Sequence, residues 1–184
     1  DDFVRVENQP LSQIENFTVS SWVSPENFDK GGAFVCVGRD AVSGSRSGFA
    51  FGIGGTQYNN NDGHNFLASV ANQAWINTGY TFPDENEWYY VSMVRENSTF
   101  TFYVNGIPTQ NSYSSSASPI FPNEVFIGAS DGDENYANFD GLIRSVEIWN
   151  NSLSQGEIQN NMQDAPNHNS ENLVSYYNFN TGSG

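Results

Sequence analysis

The chain has little of what several protein classes depend on. It carries one cysteine in 184 residues, so no intrachain disulfide can form and the fold must rest on an apolar core. That cysteine, Cys36, lies in the run Ala33-Phe34-Val35-Cys36-Val37, where a buried position is expected rather than a reactive one. Lys and Arg total six against 21 Asp and Glu, a net charge of −15. Phosphate backbones demand clustered cations, so nucleic acid is excluded as a partner, and anionic membrane surfaces with it. No stretch approaches the ~18 apolar residues of a membrane-spanning helix, so membrane insertion is not expected, and none reads as a leader peptide. Two histidines and one cysteine are too few for a plausible zinc site.

What is present is aromatic and β-patterned. Aromatic residues make up 15% of the chain and charged residues also 15%, so the surface must be built largely from Asn, Ser, Thr, Gly and Gln. The length suits one domain, residues 1–184, burying roughly 70% of its unfolded surface. Trp88–Pro108 is the most informative stretch. Tyr89, Val91 and Met93 alternate with Tyr90, Ser92 and Val94, and Phe100, Phe102 and Val104 alternate with Thr101 and Tyr103. Arg95-Glu96-Asn97-Ser98 supplies the turn between them, and Asn105-Gly106 a type I′ turn after them. Further strand candidates are 3–7, 17–23, 33–38, 48–53, 66–70, 75–82, 125–129, 142–149 and 173–179. Such density of short strands predicts an all-β, two-sheet antiparallel sandwich. One helix is expected from Ser154 to about Met162, opened by the capping box Ser154-Gln155-Gly156-Glu157. In the strand before it, alternation places Leu142, Val146 and Ile148 on one face and Ile143, Glu147 and Trp149 on the other, partly wet one. The chain opens and closes on strand patterns, as expected of a module excised from a larger protein.

Five segments in order resemble the bacterial laminin-G-like jelly rolls, related in fold to pentraxins and concanavalin A. They are Phe17-Thr18-Val19-Ser20-Ser21-Trp22-Val23-Ser24-Pro25, the hairpins of residues 87–108, Val125-Phe126-Ile127-Gly128-Ala129-Ser130, residues 138–158 and residues 173–184. The resemblance implies a jelly-roll sandwich, often secreted and part of a modular protein, that binds rather than catalyses.

Two constellations bear on function. Asp131, Asp133 and Glu134 crowd three carboxylates around Gly132, hard oxygen ligands suited to Ca²⁺. The pentraxin-like pattern implies Asp40 as a cross-loop partner, although Ala41 stands where a further ligand would be expected. The resemblance to the bacterial members implies an alternative, a structural ion held by Asp2 and Asp140, and solvated turn acids are the plain one. The second constellation is aromatic and amide-rich: Tyr58 with Asn59 and Asn61, then Trp75, Tyr113 and Tyr136. Sugar sites need an apolar ring face and planar hydrogen-bonding groups. The plainer alternatives are a Trp75 packed into the sandwich and a Tyr58 with no special role.

Catalytic patterns are thin. Glu147 is alone on its strand, and retaining glycosidases need two carboxylates about 5 Å apart. His64 and His168 lie in polar loops without a nucleophilic serine elbow. The leading expectation is therefore a secreted or cell-surface, non-catalytic carbohydrate-binding module, calcium-assisted, with a glycan or polysaccharide as partner. The alternatives are a protein-binding or spacer module of a bacterial adhesin, with a surface protein as partner, and a glycan-active enzyme.

Overall fold

The computed structural model describes residues 3–7, 15–37, 48–55, 63–70, 75–116, 124–130 and 138–180. In chain order the strands are β1 (Val4–Val6), β2 (Phe17–Pro25), β3 (Gly32–Val37), β4 (Phe49–Ile53), β5 (Asn65–Val70), β6 (Ile76–Thr81), β7 (Tyr89–Glu96), β8 (Thr99–Val104), β9 (Ile107–Pro108), β10 (Tyr113–Ser114), β11 (Val125–Ile127), β12 (Gly141–Trp149) and β13 (Leu173–Asn178). The single helix among the described residues, α1 (Gln155–Gln163), lies between β12 and β13.

Two antiparallel sheets form the expected jelly-roll sandwich. One runs β1-β11-β3-β4-β5-β6, and the other β10-β8-β7-β2-β12-β13 with β9 beside β8. The local hairpins are where alternation put them. Val91 pairs with Val104 and Met93 with Phe102, so both strands turn the same apolar set inward. Asn97 and Ser98 take φ of 53° and 94°, and Asn105 and Gly106 take 52° and 71°. Both turns thus have the left-handed pair that matches strand twist.

The core is phenylalanine-rich. Phe34, Phe51, Phe66, Phe82 and Phe102 are buried between the sheets, and Phe66 meets Phe51, Phe82 and Phe102 edge-on at 6.0–6.2 Å. Edge-to-face packing lets the positive rim of one ring meet the negative face of the next. On the outer side of the six-stranded sheet, Cys36, Ala50 and Phe126 form a smaller buried cluster. Cys36 is buried, as expected, but on this outer side rather than in the main core.

The register of β12 departs from simple alternation. Ile143 pairs with Val23, and Ser145 with Trp22, so the pairing shifts by one residue at Arg144. Ile143 therefore joins Val146 and Ile148 against the main core, while Leu142 is 51% exposed. This corrects the two faces expected from alternation, because a bulge inserts one residue and reverses the parity on its far side. The expected wet face is corrected as well: Glu147 and Trp149 are both buried.

Candidate binding face of the seven-stranded sheet

The site is built on the outer face of the seven-stranded sheet. In β2 the inward side chains are Phe17, Val19 and Val23, so Thr18, Ser20 and Trp22 point outward. In β7 the outward set is Tyr90, Ser92 and Val94. Cross-strand pairing aligns them. Glu147 faces Ser20 on one side and Tyr176 on the other, and Ser20 faces Ser92. Ser145, Trp22 and Tyr90 form the next row.

One end of this face is closed by the helix. Ser154 caps α1: its side chain accepts from the Glu157 amide, and the Glu157 carboxylate accepts from the Ser154 amide at 2.7 Å. The Ser154 hydroxyl, which donates to the Glu157 carboxylate at 2.6 Å, and then the Ser154 amide hold the Glu157 carboxyl below the usual carboxylate range. Ile158 and Leu153 bury against Tyr90, Val94 and Trp149. Gln155 and Gln159 both donate to the Gly106 carbonyl, tying the helix to the Asn105-Gly106 turn. Thr18 completes the anchorage: its hydroxyl donates to the Asn151 carbonyl at 2.9 Å and accepts from the Leu153 amide at 2.8 Å.

Beneath this cover lies one acid. Glu147 is 1% exposed, and its Oε2 accepts from the Tyr90 hydroxyl at 3.0 Å and the Trp149 indole at 3.3 Å. Burial pushes Glu147 up to about 7, with both bonds opposing the shift. Burial first, and then the Glu147 charge, pushes Tyr90 well above the ordinary phenol value. The pair is enclosed, so it shapes the platform from below rather than meeting a ligand.

The other end of the face is open and aromatic. Trp88 is 37% exposed, Leu142 is 51% exposed and Trp22 is half-buried. The exposed Arg144 lays its guanidinium over two rings, 5.0 Å from the Trp22 centroid and 5.6 Å from that of Trp88. The bulge in β12 is what turns Arg144 to this side. Tyr176 is half-buried beside it, its hydroxyl raised by burial and by Glu147 and lowered by Arg144. Trp22 and Tyr90 approach at 5.3 Å, which links the open end to the buried one.

Of the site residues expected from sequence, Trp75, Tyr113 and Asp140 are among the described residues. Tyr58, Asn59, Asn61 and Tyr136 lie outside the described residues, as do Asp2 and the metal candidates Asp40, Asp131, Asp133 and Glu134. Trp75 is half-buried and packs on the Cys36, Ala50 and Phe126 cluster of the six-stranded sheet. Tyr113 packs on the main core beside Phe100, at 6.5 Å, so different clusters hold these two aromatics. The Asp140 carboxylate takes the Lys30 ammonium at 3.2 Å and the Asn27 amide at 3.3 Å, both on Oδ2. Among the described residues, no three His, Cys, Asp or Glu side chains converge as a metal site. None of their helices is long and apolar enough to cross a membrane.

Sequence reasoning passed over Trp22, Trp88 and Arg144. Two signals pointed to Trp22 and Arg144: the alternation of Thr18, Ser20 and Trp22 on the outer side of a core strand, and the rarity of cations in so acidic a chain.

The fold has solved relatives at low identity. A Bacteroides ovatus protein provisionally described as carbohydrate binding superposes with a TM-score of 0.80 at 16% identity, over 97% of this chain and 50% of its own. The present chain thus spans half the length of that protein. A heptameric pentraxin from Limulus polyphemus gives 0.67 at 15% identity, over 96% of this chain and 84% of its own. Domain 4 of an extracellular arabinanase from Geobacillus stearothermophilus, solved with arabinotriose, gives 0.62 at 18% identity, over 86% and 71%. No curated protein sequence matches the chain. The family model Laminin_G_3 matches residues 1–159, and the chain accordingly belongs to the concanavalin A-like lectin/glucanase superfamily.

Proposed function

We propose that this chain is a non-catalytic carbohydrate-binding module acting outside the cell. The observation that carries the reading is the open end of the seven-stranded sheet, where Trp22, Trp88 and Leu142 offer apolar surface beside Arg144. A pyranose or furanose ring presents C–H groups that stack on indole, and its hydroxyls take hydrogen bonds from adjacent polar side chains. Two relatives in fold, the Bacteroides protein and the arabinanase domain, are described with carbohydrate. Glu147 supports a binding role over a catalytic one, since it is enclosed and pairs with no second carboxylate among the described residues.

Calcium assistance through Asp40, Asp131, Asp133 and Glu134 is part of the same proposal, resting on their density in the sequence. So is a contribution from the loop aromatics Tyr58, Trp75, Tyr113 and Tyr136 with Asn59 and Asn61.

A glycan array followed by calorimetry on the hits tests the reading. Trp22→Ala and Trp88→Ala are expected to weaken binding at least tenfold, and Tyr58→Ala and Trp75→Ala show what the loops add. Binding untouched by the first pair moves the site to the loops. A blank array favours the adhesin spacer.

A further inference from the structure

Arg144 is exposed, lies over two indole rings and forms no ion pair among the described residues, in a chain with 21 acidic side chains. A lone surface arginine in such a chain would ordinarily be matched by a carboxylate, as Arg5 is matched by Glu124 and Glu7. The neighbours of Arg144 on this face are instead Trp22, Trp88, Leu142 and Tyr176. The two cation–π contacts hold the guanidinium in place over the rings. A guanidinium carries its N–H donors along the edge of one plane, and the edge of Arg144 has no carboxylate on it among the described residues. A carboxylate fits that edge with two parallel hydrogen bonds.

We propose that the ligand of this face is an acidic saccharide, one whose sugar ring stacks on Trp22 or Trp88 while its single carboxylate pairs with Arg144. This rests on the carbohydrate-binding reading above and narrows it to uronic- or sialic-acid-type sugars. The net charge of −15 sets the other limit. It repels a densely charged polyanion at long range, whereas one carboxylate in contact with Arg144 feels chiefly that charge once salt screens the rest beyond ~8 Å. The cation also sits on a β-bulge, a backbone irregularity that re-aims a side chain, and without the inserted residue the parity of β12 would change.

The test compares matched probes by calorimetry: galacturonic acid trimer against its methyl ester, glucuronic acid oligomers against glucose oligomers, and sialyllactose against lactose. At least one acid is expected to bind ten times more tightly than its neutral partner. Arg144→Gln is expected to erase that difference, and Arg144→Lys to recover only part of it, because a point charge lacks the two-pronged edge. The melting midpoint is measured alongside and is expected to fall by only a few degrees, since Arg144 is exposed and its loss removes two weak cation–π contacts. Equal binding of acid and neutral partner, or a preference that survives Arg144→Gln, overturns the acidic-sugar inference and leaves the carbohydrate reading standing. No binding of any probe or of any glycan on the array overturns both.

Discussion

The Tyr90 hydroxyl donates to the Glu147 carboxylate at 3.0 Å across the outer face of the seven-stranded sheet, with both side chains at most 1% exposed. A buried acid with two donors is a compromise. The bonds favour its charged form, burial favours the neutral one, and burial wins, with Glu147 raised to about 7.

Stability should therefore fall with pH across the range where Glu147 ionises. The folded value, about 7, lies above the unfolded reference of 4.5, so the native state holds a proton that the unfolded chain has released. This contribution is fully present below pH 4.5 and lost as pH rises through about 7, on the order of 3 kcal/mol in all. Urea unfolding from pH 4.5 to 8 is expected to show that loss, and Glu147→Gln to flatten it. An unchanged slope in the variant would mean that other groups carry the dependence.

Glycine substitutions should separate by position. A Cβ on Gly52 would lie 2.1 Å from the Gly32 carbonyl oxygen and 2.8 Å from the Ala33 Cα, both backbone atoms in the paired strand. Gly52→Ala is expected to cost about 3 kcal/mol or prevent folding. Gly156, in the first turn of α1, has open space around it, so Gly156→Ala is expected to add about 0.5 kcal/mol. Chemical denaturation of both variants measures the contrast.

Removing the helix cap should loosen the cover over Glu147. Ser154→Ala deletes the capping hydroxyl and is expected to cost about 1 kcal/mol. Amide exchange in α1 should accelerate together with that of Trp149 and Tyr90, because Ile158 and Leu153 pack on both. Faster exchange confined to the helix would show that the cover and the face open independently.

Calcium is expected to raise the melting midpoint between EDTA and millimolar metal, with an affinity of about 10⁻⁴–10⁻³ M, the range of weak calcium modules. Asp131→Asn with Asp133→Asn should abolish the rise. An unchanged midpoint in the wild type removes calcium from the proposal. A rise that survives the double variant shifts the ligands elsewhere, with Asp2 and Asp140 as the next candidates.

The sequence by itself determined the architecture. Alternation in β7 and β8, the Asn105-Gly106 turn and the Ser154–Glu157 box are local codes, written in contiguous residues by backbone sterics and hydrogen bonding, and all three recur in the structure. Tertiary structure decided what local codes do not carry. The bulge at Arg144 depends on how β12 meets β2, and it moved Ile143 inward and Leu142 outward. Trp22 and Trp88 stand 66 residues apart, and only the pairing of β2 with β7 brings their rings under one guanidinium. Glu147 reads from its strand as a solvent-facing charge. It is buried because a helix beginning eight residues later folds back over that face, a contact set by packing between elements rather than by the residues around it.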